Sequence, residues 1–318
     1  MERNVTLDFV RGVAILGILL LNISAFGLPK AAYLNPAWYG AIVPEDAWSW
    51  AILDIVAQAK FLTLFALLFG AGLQMLLPRG KQWIQSRLTL LVLLGFIHAL
   101  FFWDGDILLA YGLVGLICWR LIRDAPSVKS LFNTGILLYL VGIGVLLLLG
   151  AALMRSGWLK GQYSLRHYRR TGALLVALGL LINLPAVILQ WRLDWAYRWC
   201  AFLLQAPREL SAPLQTLGYA ALMFGFWPQL SRCRLTLAIA CVGRMALTNY
   251  LLQTIICTTL FYQFGLFMKF NRLELLFFVV PVWAINLLFS VIWLRFWRQG
   301  PVEWLWRQLT LRASGSLR

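Results

Sequence analysis

Long apolar runs alternate with short polar clusters along the whole chain. A helix that crosses a hydrocarbon core of about 30 Å needs roughly 20 mostly apolar residues. Runs that reach or approach this length fall near residues 7–28, 52–77, 88–103, 107–122, 131–154, 172–189, 214–227, 235–267 and 273–297. The pattern predicts an all-α protein, a polytopic transmembrane helix bundle of about nine spans, organised as a single membrane-embedded domain over residues 1–318. The first run begins at Leu7 and no small-residue cleavage site stands out, so it is expected to stay as the first span.

Basic residues orient the spans, because Lys and Arg accumulate in cytoplasmic loops. The loop after the first run holds Pro29, Pro36, Pro44, Glu45 and Asp46 with a single lysine, and belongs outside. Pro78-Arg79-Gly80-Lys81, continuing to Arg87, belongs inside. The turn Trp103-Asp104-Gly105-Asp106 is outside, and Arg120, Arg123 and Lys129 are inside. Alternation then fails: one crossing over 131–154 puts the next loop outside, yet that loop carries Arg155, Lys160, Arg166, Arg169 and Arg170, the densest basic cluster of the chain. Beyond it the pattern is regular, with Arg232 and Arg234 inside and a basic tail at Arg298, Arg307, Arg312 and Arg318. Two cytoplasmic termini need an even number of spans, whereas nine runs are present. The expectation is that a loop and parts of its flanking helices are missing at the 150/151 junction, where LLLLG meets AALMRSGW, with ten spans when that segment is present. The alternative is a re-entrant segment permitted by Gly142, Gly144 and Gly150.

Composition agrees with a membrane protein: 61% hydrophobic residues, 13% charged and a mean hydropathy of +0.77 leave too little polar surface to coat a soluble globule. The net charge of +16 sits in clusters between spans, so it is read as orientation in the bilayer, and no nucleic-acid partner is expected. Cys118, Cys200, Cys233, Cys241 and Cys257 are scattered without a CxxC, and the two histidines form no HExxH, so no metal or disulfide is expected.

Polar residues inside the runs carry a desolvation cost and point to function or to buried packing. Asp8, Arg11 and Asn22 fall on nearly one helical face, with Gly12 and Gly17 reducing bulk beside them. They suit either a buried clamp between helices or, through Arg11 near the cytoplasmic surface, a phosphate contact. Lys60 and Gln74 share a face of the second run, where Lys60 either snorkels or lines a polar cavity. His98 lies just before the outer turn, where an imidazole can take and return a proton. Asp104 or Asp106 can orient it, while Asp106 is also well placed to cap the next helix. The segment Gly243 to Gln253 adds Arg244, Thr248, Asn249 and Gln253, of which packing explains Thr248 and Gln253 more readily than Arg244 and Asn249.

Three segments, LDFVRGVAILGILLLN, GFIHALFFWDGDILLAYGLVG and VGRMALTNYLLQ, resemble in that order the marker segments of YeiB-type bacterial inner-membrane proteins, a family of uncharacterised function. The resemblance covers nearly the whole chain. It departs where Gly150 meets Ala151, since family members carry a longer hydrophilic stretch there followed by another span. The family implies a bundle distantly related to transmembrane acyltransferases, including the lysosomal heparan-glucosaminide acetyltransferase, which pass an acyl group from cytoplasmic acyl-CoA to an acceptor on the other side. It implies multi-pass residence in the bacterial inner membrane, with acetyl-CoA or another acyl-CoA as donor and an unknown small-molecule acceptor. Arg11 and Lys60, with Asp8 and Asn22 beside Arg11, would hold the donor. His98 would act as general base or transient acyl carrier, Asp104 or Asp106 would orient it, and Asn249 or Arg244 would stabilise an oxyanion. No GxSxG and no phosphate-binding GxxxxGK[ST] loop is present. A proton-coupled transporter of a small solute uses the same buried charges and is the competing class, with a scaffold protein as a third. The bilayer is the expected partner, and homo-oligomers are compatible with the sequence.

Overall fold

The computed structural model describes residues 4–37, 44–139, 144–199 and 201–315. Gly142, Cys200 and Arg318 fall outside them. The described residues are helical throughout, without a strand. In chain order the helices are α1 (Val5–Gly27), α2 (Lys30–Leu34), α3 (Pro44–Val56), α4 (Lys60–Leu76), α5 (Lys81–Phe101), α6 (Leu108–Asp124), α7 (Val128–Tyr139) and α8 (Gly144–Arg155). They continue with α9 (Leu165–Arg192), α10 (Ala206–Gly225), α11 (Trp227–Leu230), α12 (Arg234–Arg244), α13 (Ala246–Thr258), α14 (Arg272–Phe296) and α15 (Pro301–Ala313). Five helical stretches are long and apolar enough to cross a membrane: α1, the interrupted pair α3–α4, α5, α9 and α14; the bent pair α12–α13 makes a sixth. This is a multi-pass helical membrane protein, consistent with about nine spans.

The helices group into two compact units. The first comprises Met1–Leu7, Phe65–Tyr163 and Trp293–Arg318. Its α5 and α6 form a close antiparallel pair because the glycines remove side chains where the backbones meet. A Cβ on Gly95 would collide with the backbone of Leu109, and one on Gly112 with Val92. Such small-residue contacts carry helix association in lipid, where apolar burial alone provides no drive. The amphipathic α15 packs on α5: Trp306 Nε1 donates to Arg87 O at 3.0 Å, and the Arg87 guanidinium lies 3.4 Å from the Trp306 ring centre.

Residues 131–154, expected as one crossing, instead form two helices that pack along each other. Gly135 of α7 faces Leu149 of α8. Each helix has 12 residues, about 18 Å of axis, and is too short to span a core of about 30 Å alone. Glycine again sets the seat of the pair, with Gly70 of α4 against the backbone of Leu147 and Gly150 against that of Leu67. Arg155 fixes the returning end: it donates to Ile122 O at 2.6 Å, to Ala125 O at 2.9 Å and to Gln74 Oε1 at 3.2 Å. Those two carbonyls belong to the C-terminal end of α6, so the chain that leaves at Val128 is back at its starting level by Arg155. α7 and α8 therefore pack antiparallel.

The second unit comprises Asp8–Leu64 and Ser164–Ile292. Its α9 and α10 are longer than the apolar runs, and α10 begins at Ala206 inside a stretch expected to be a loop. Gly172 and Gly218 face each other where α9 and α10 meet. The run 235–267, expected as one helix, is bent by 89° at Met245 between α12 and α13. At this bend Gly243 packs on Asp8 O and Gly12 N of α1, while Gly12 packs on Ile239 O. Two of the resembling segments, LDFVRG and VGR, are therefore one contact surface.

Candidate functional site

Polar chemistry in the first unit gathers at the C-terminal end of α5. His98 is buried in the last turn of that helix, and its Nδ1 stands 2.8 Å from Oδ1 of Asp106, with both side chains at most 3% exposed. The approach is short but not aligned as a hydrogen bond. The second carboxylate oxygen of Asp106 accepts from Leu109 N at 2.7 Å. Capping and orientation, alternatives for Asp106 in the sequence, are thus performed together, one oxygen for each. Asp104, two residues earlier, is exposed. The Phe102 ring stacks on His98 at 6.0 Å, and Tyr111 of α6 is buried against Phe65 and Phe69.

In the second unit the residues expected to hold a donor separate into three places. Arg11 contacts Asp8 at 3.4 Å with its side chain 26% exposed. It flanks the crossing where Gly243 meets α1, and Arg244 is the next residue of α12. Asn22 lies further along α1, half-buried. Lys60 is placed differently from the expected phosphate contact. Fully buried, it begins α4, about 25 Å of helix from that element's far end, and its Nζ donates to Asp54 O at 2.5 Å.

Asn249 is engaged within the fold. Its amide donates to Ser290 Oγ at 2.8 Å and to Met245 O at 3.0 Å, a carbonyl at the bend, and its oxygen accepts from Asn286 Nδ2 at 2.9 Å. Gln253 continues the ladder, donating to Asn286 Oδ1 at 3.1 Å and to Ile15 O at 3.5 Å. Buried polar groups satisfied in this way clamp α1, α13 and α14 together and stabilise the bend.

The sequence reading overlooked the residues around the interruption between α3 and α4. Ala59 there adopts a left-handed backbone, φ 64°. The carbonyls around the break find side chains: Asp54 O takes Lys60 Nζ, and Asn183 Nδ2 lies 3.3 Å from it. Tyr219 donates to Val56 O at 3.0 Å, Thr216 donates to Lys60 O at 2.8 Å, and the Gln215 amide, suitably oriented, donates to Ile55 O at 2.9 Å. The Asp54 carboxylate is itself buried, with Arg208 Nε 2.6 Å from Oδ1 and Asn183 Nδ2 3.4 Å from Oδ2. Asp54 lies inside an apolar run, so the cost that singled out Lys60 and His98 marks it equally. Asn286 and Ser290, four residues apart in the last run, gave a similar signal. Among the described residues no group of three or more His, Cys, Asp or Glu could hold a metal ion.

An all-helical multi-pass architecture with buried polar clusters defines the class. The family described as "Protein of unknown function (DUF418)" matches residues 153–313. The chain is 71% identical to "Uncharacterized protein YeiB" of Escherichia coli (strain K12), covering 99% of this chain and 98% of that protein. It is 30% identical to "Uncharacterized protein YxaH" of Bacillus subtilis (strain 168), over 97% of this chain and 94% of the relative. It is 29% identical to "Uncharacterized 39.9 kDa protein in amylase 3'region" of Bacillus acidopullulyticus, again over 97% and 94%. The chain belongs to the YeiB-type DUF418 family. No solved structure matches it. The alignment to the E. coli relative runs over 377 positions against the 318 residues here, so at least 59 of those positions have no counterpart in this chain.

Proposed function

We propose that this protein transfers an acyl group from a cytoplasmic acyl-CoA to an acceptor on the outer side of the bacterial inner membrane, with His98 as general base. The buried His98–Asp106 contact of 2.8 Å carries this reading. A carboxylate beside Nδ1 favours the proton on that nitrogen and leaves the basic lone pair on Nε2. In the transfer step Nε2 takes the proton from the acceptor hydroxyl or amine as that atom bonds to the thioester carbon. The C–S bond breaks, and the proton passes to the departing CoA thiolate. Arg11, at the crossing of α1 and α12, is the cation proposed for the donor's phosphates.

The α7–α8 hairpin supports the orientation. With the hairpin counted as no crossing, and α6 and α10 counted beside the six stretches long and apolar enough to cross, the chain crosses eight times: α1, α3–α4, α5, α6, α9, α10, α12–α13 and α14. The basic cluster from Arg155 to Arg170 and both termini then lie in the cytoplasm, as charge bias requires. The 59 or more unmatched positions of the relative are compatible with a segment removed near the hairpin.

Two interrupted membrane helices, α3–α4 and α12–α13, favour a second reading, proton-coupled transport of a small solute. Broken helices with freed backbone groups are the usual substrate sites of secondary transporters. Acetyl-CoA binding by the purified protein in detergent separates the two. Acyl transfer expects saturable binding that weakens in Arg11→Ala and survives in His98→Ala. A folded parent that binds no acetyl-CoA gives the function to transport.

A further inference from the structure

A small crevice of about 20 Å³ opens within the second unit and is lined by Ser24 of α1, by Ser49, Trp50 and Asp54 of α3, by Gln58 and by Arg272 of α14, with leucines between them. Its polar wall has an unusual charge balance. Arg272 is buried, 7% exposed, and among the described residues it donates one hydrogen bond, from Nη2 to Ala32 O. A guanidinium has five N–H donors. Asp46 is near enough to act on its charge but is not in contact with it: no carboxylate lies within 4 Å of Arg272 among the described residues, and Asp46 accepts from Leu273 N. Asp54 does not offset Arg272, because its carboxylate is taken by Arg208 and Asn183. Behind that wall Lys60, fully buried, is bonded to a backbone carbonyl and has no carboxylate within 4 Å either, while Glu209, next to Arg208, is exposed. A buried cation with no carboxylate in direct contact is costly in protein surroundings, and more so beside lipid.

We infer that the crevice is a binding site for a compact oxyanion, a carboxylate or phosphate group carried by a small solute or a lipid headgroup, with Arg272 as its charge partner. The guanidinium geometry suits a planar or tetrahedral oxyanion in bidentate contact. Ser24 contributes a hydroxyl from α1, and Gln58 an amide from the interruption after α3. Trp50 forms the apolar wall. It is held edge-on by Trp195 at 4.9 Å and has the Arg208 guanidinium 5.7 Å from its ring centre, so it is fixed before a ligand arrives. This assignment stands whether the protein transfers acyl groups or transports a solute.

The test uses the full chain in nanodiscs and reads the midpoint of thermal unfolding. In one arm, phosphatidylcholine nanodiscs are titrated with inorganic phosphate and, separately, acetate at constant ionic strength. In the other, nanodiscs containing phosphatidylglycerol are compared with phosphatidylcholine alone. Saturable stabilisation by a free ion identifies a solute source, and stabilisation by the anionic lipid identifies a headgroup. Either must weaken by about tenfold or more in apparent affinity in Arg272→Gln, the scale of one lost charge-assisted contact, and stay unchanged in Arg166→Gln, an exposed arginine of α9. Should Arg272→Gln fail to fold, Ser24→Leu fills the crevice while leaving the Arg272 contact to Ala32, and it must abolish the response. A folded parent that responds in neither arm overturns the assignment. So does a response kept by Arg272→Gln or by Ser24→Leu.

Discussion

Replacing Asp106 separates two tasks that one carboxylate performs. In Asp106→Ala, α6 loses the acceptor for Leu109 N, which costs about 1 kcal/mol for a helix cap. Buried His98 also loses the charge 2.8 Å from its Nδ1, and a charged contact broken in this way costs roughly 1.5–3 kcal/mol. The two contributions sum to about 2.5–4 kcal/mol, a large share of the 5–15 kcal/mol typical of folded proteins. Asp106→Asn keeps the shape and the cap, since Asn caps as well as Asp, and should lose only the charged part. A double-mutant cycle with His98→Ala isolates the pair, and a coupling of about 1–3 kcal/mol is expected. Equilibrium unfolding in mixed micelles of a mild detergent and dodecyl sulfate, followed by far-UV circular dichroism, gives each value. Additivity within about 0.5 kcal/mol refutes the pairing and leaves Asp106 as a cap alone.

Three further outcomes follow from the fold. Cysteines introduced at Ser127 and Lys160, in a background without native cysteines, should both react from the cytoplasmic side because the α7–α8 hairpin lies between them; labelling from opposite sides means that the segment crosses. Gly243→Ala drives a methyl into Asp8 O and Gly12 N and should destabilise by roughly 1–3 kcal/mol in the same unfolding assay, whereas Gly72→Ala, with nothing within 4 Å, should be neutral or gain up to about 1 kcal/mol of helix propensity. Cys233 is exposed, and hydrogen bonds from the backbone of Thr236 and Leu235 hold its thiol below the ordinary range. In intact cells it should react readily with a membrane-permeant maleimide and not with an impermeant one; reaction with both would place the start of α12 outside.

The apolar periodicity made the all-helical membrane class legible, and an ionisable residue within a run found His98 and its carboxylate. The same rule applies to Asp54, which was overlooked while Lys60 was noticed, although the two are linked at one helix interruption. Arg208 was illegible for a different reason: α10 begins eight residues before its apolar run, so this arginine read as loop. The break at 57–59 contains neither glycine nor proline, and side chains of Asn183, Gln215, Thr216 and Tyr219 hold it. Local sequence carries no trace of such a tertiary cause. The hairpin at 131–154 was legible only as a conflict between apolar length and basic charge. In the structure α7 and α8 pack on Gly70 and Gly150, with Arg155 returned to the end of α6.

Acyl transfer is tested most directly by thiol release. Proteoliposomes holding the purified protein are given acetyl-CoA on the cytoplasmic side and a polar extract of the outer compartment inside, and free CoA is followed with a thiol reagent. The account predicts CoA release that needs the enclosed extract, falls by about 10²-fold or more in His98→Gln, as expected for loss of a general base, and falls in Asp106→Asn without loss of acetyl-CoA binding. Release by His98→Gln at the parent's rate, or none from a folded parent that binds acetyl-CoA, would contradict it.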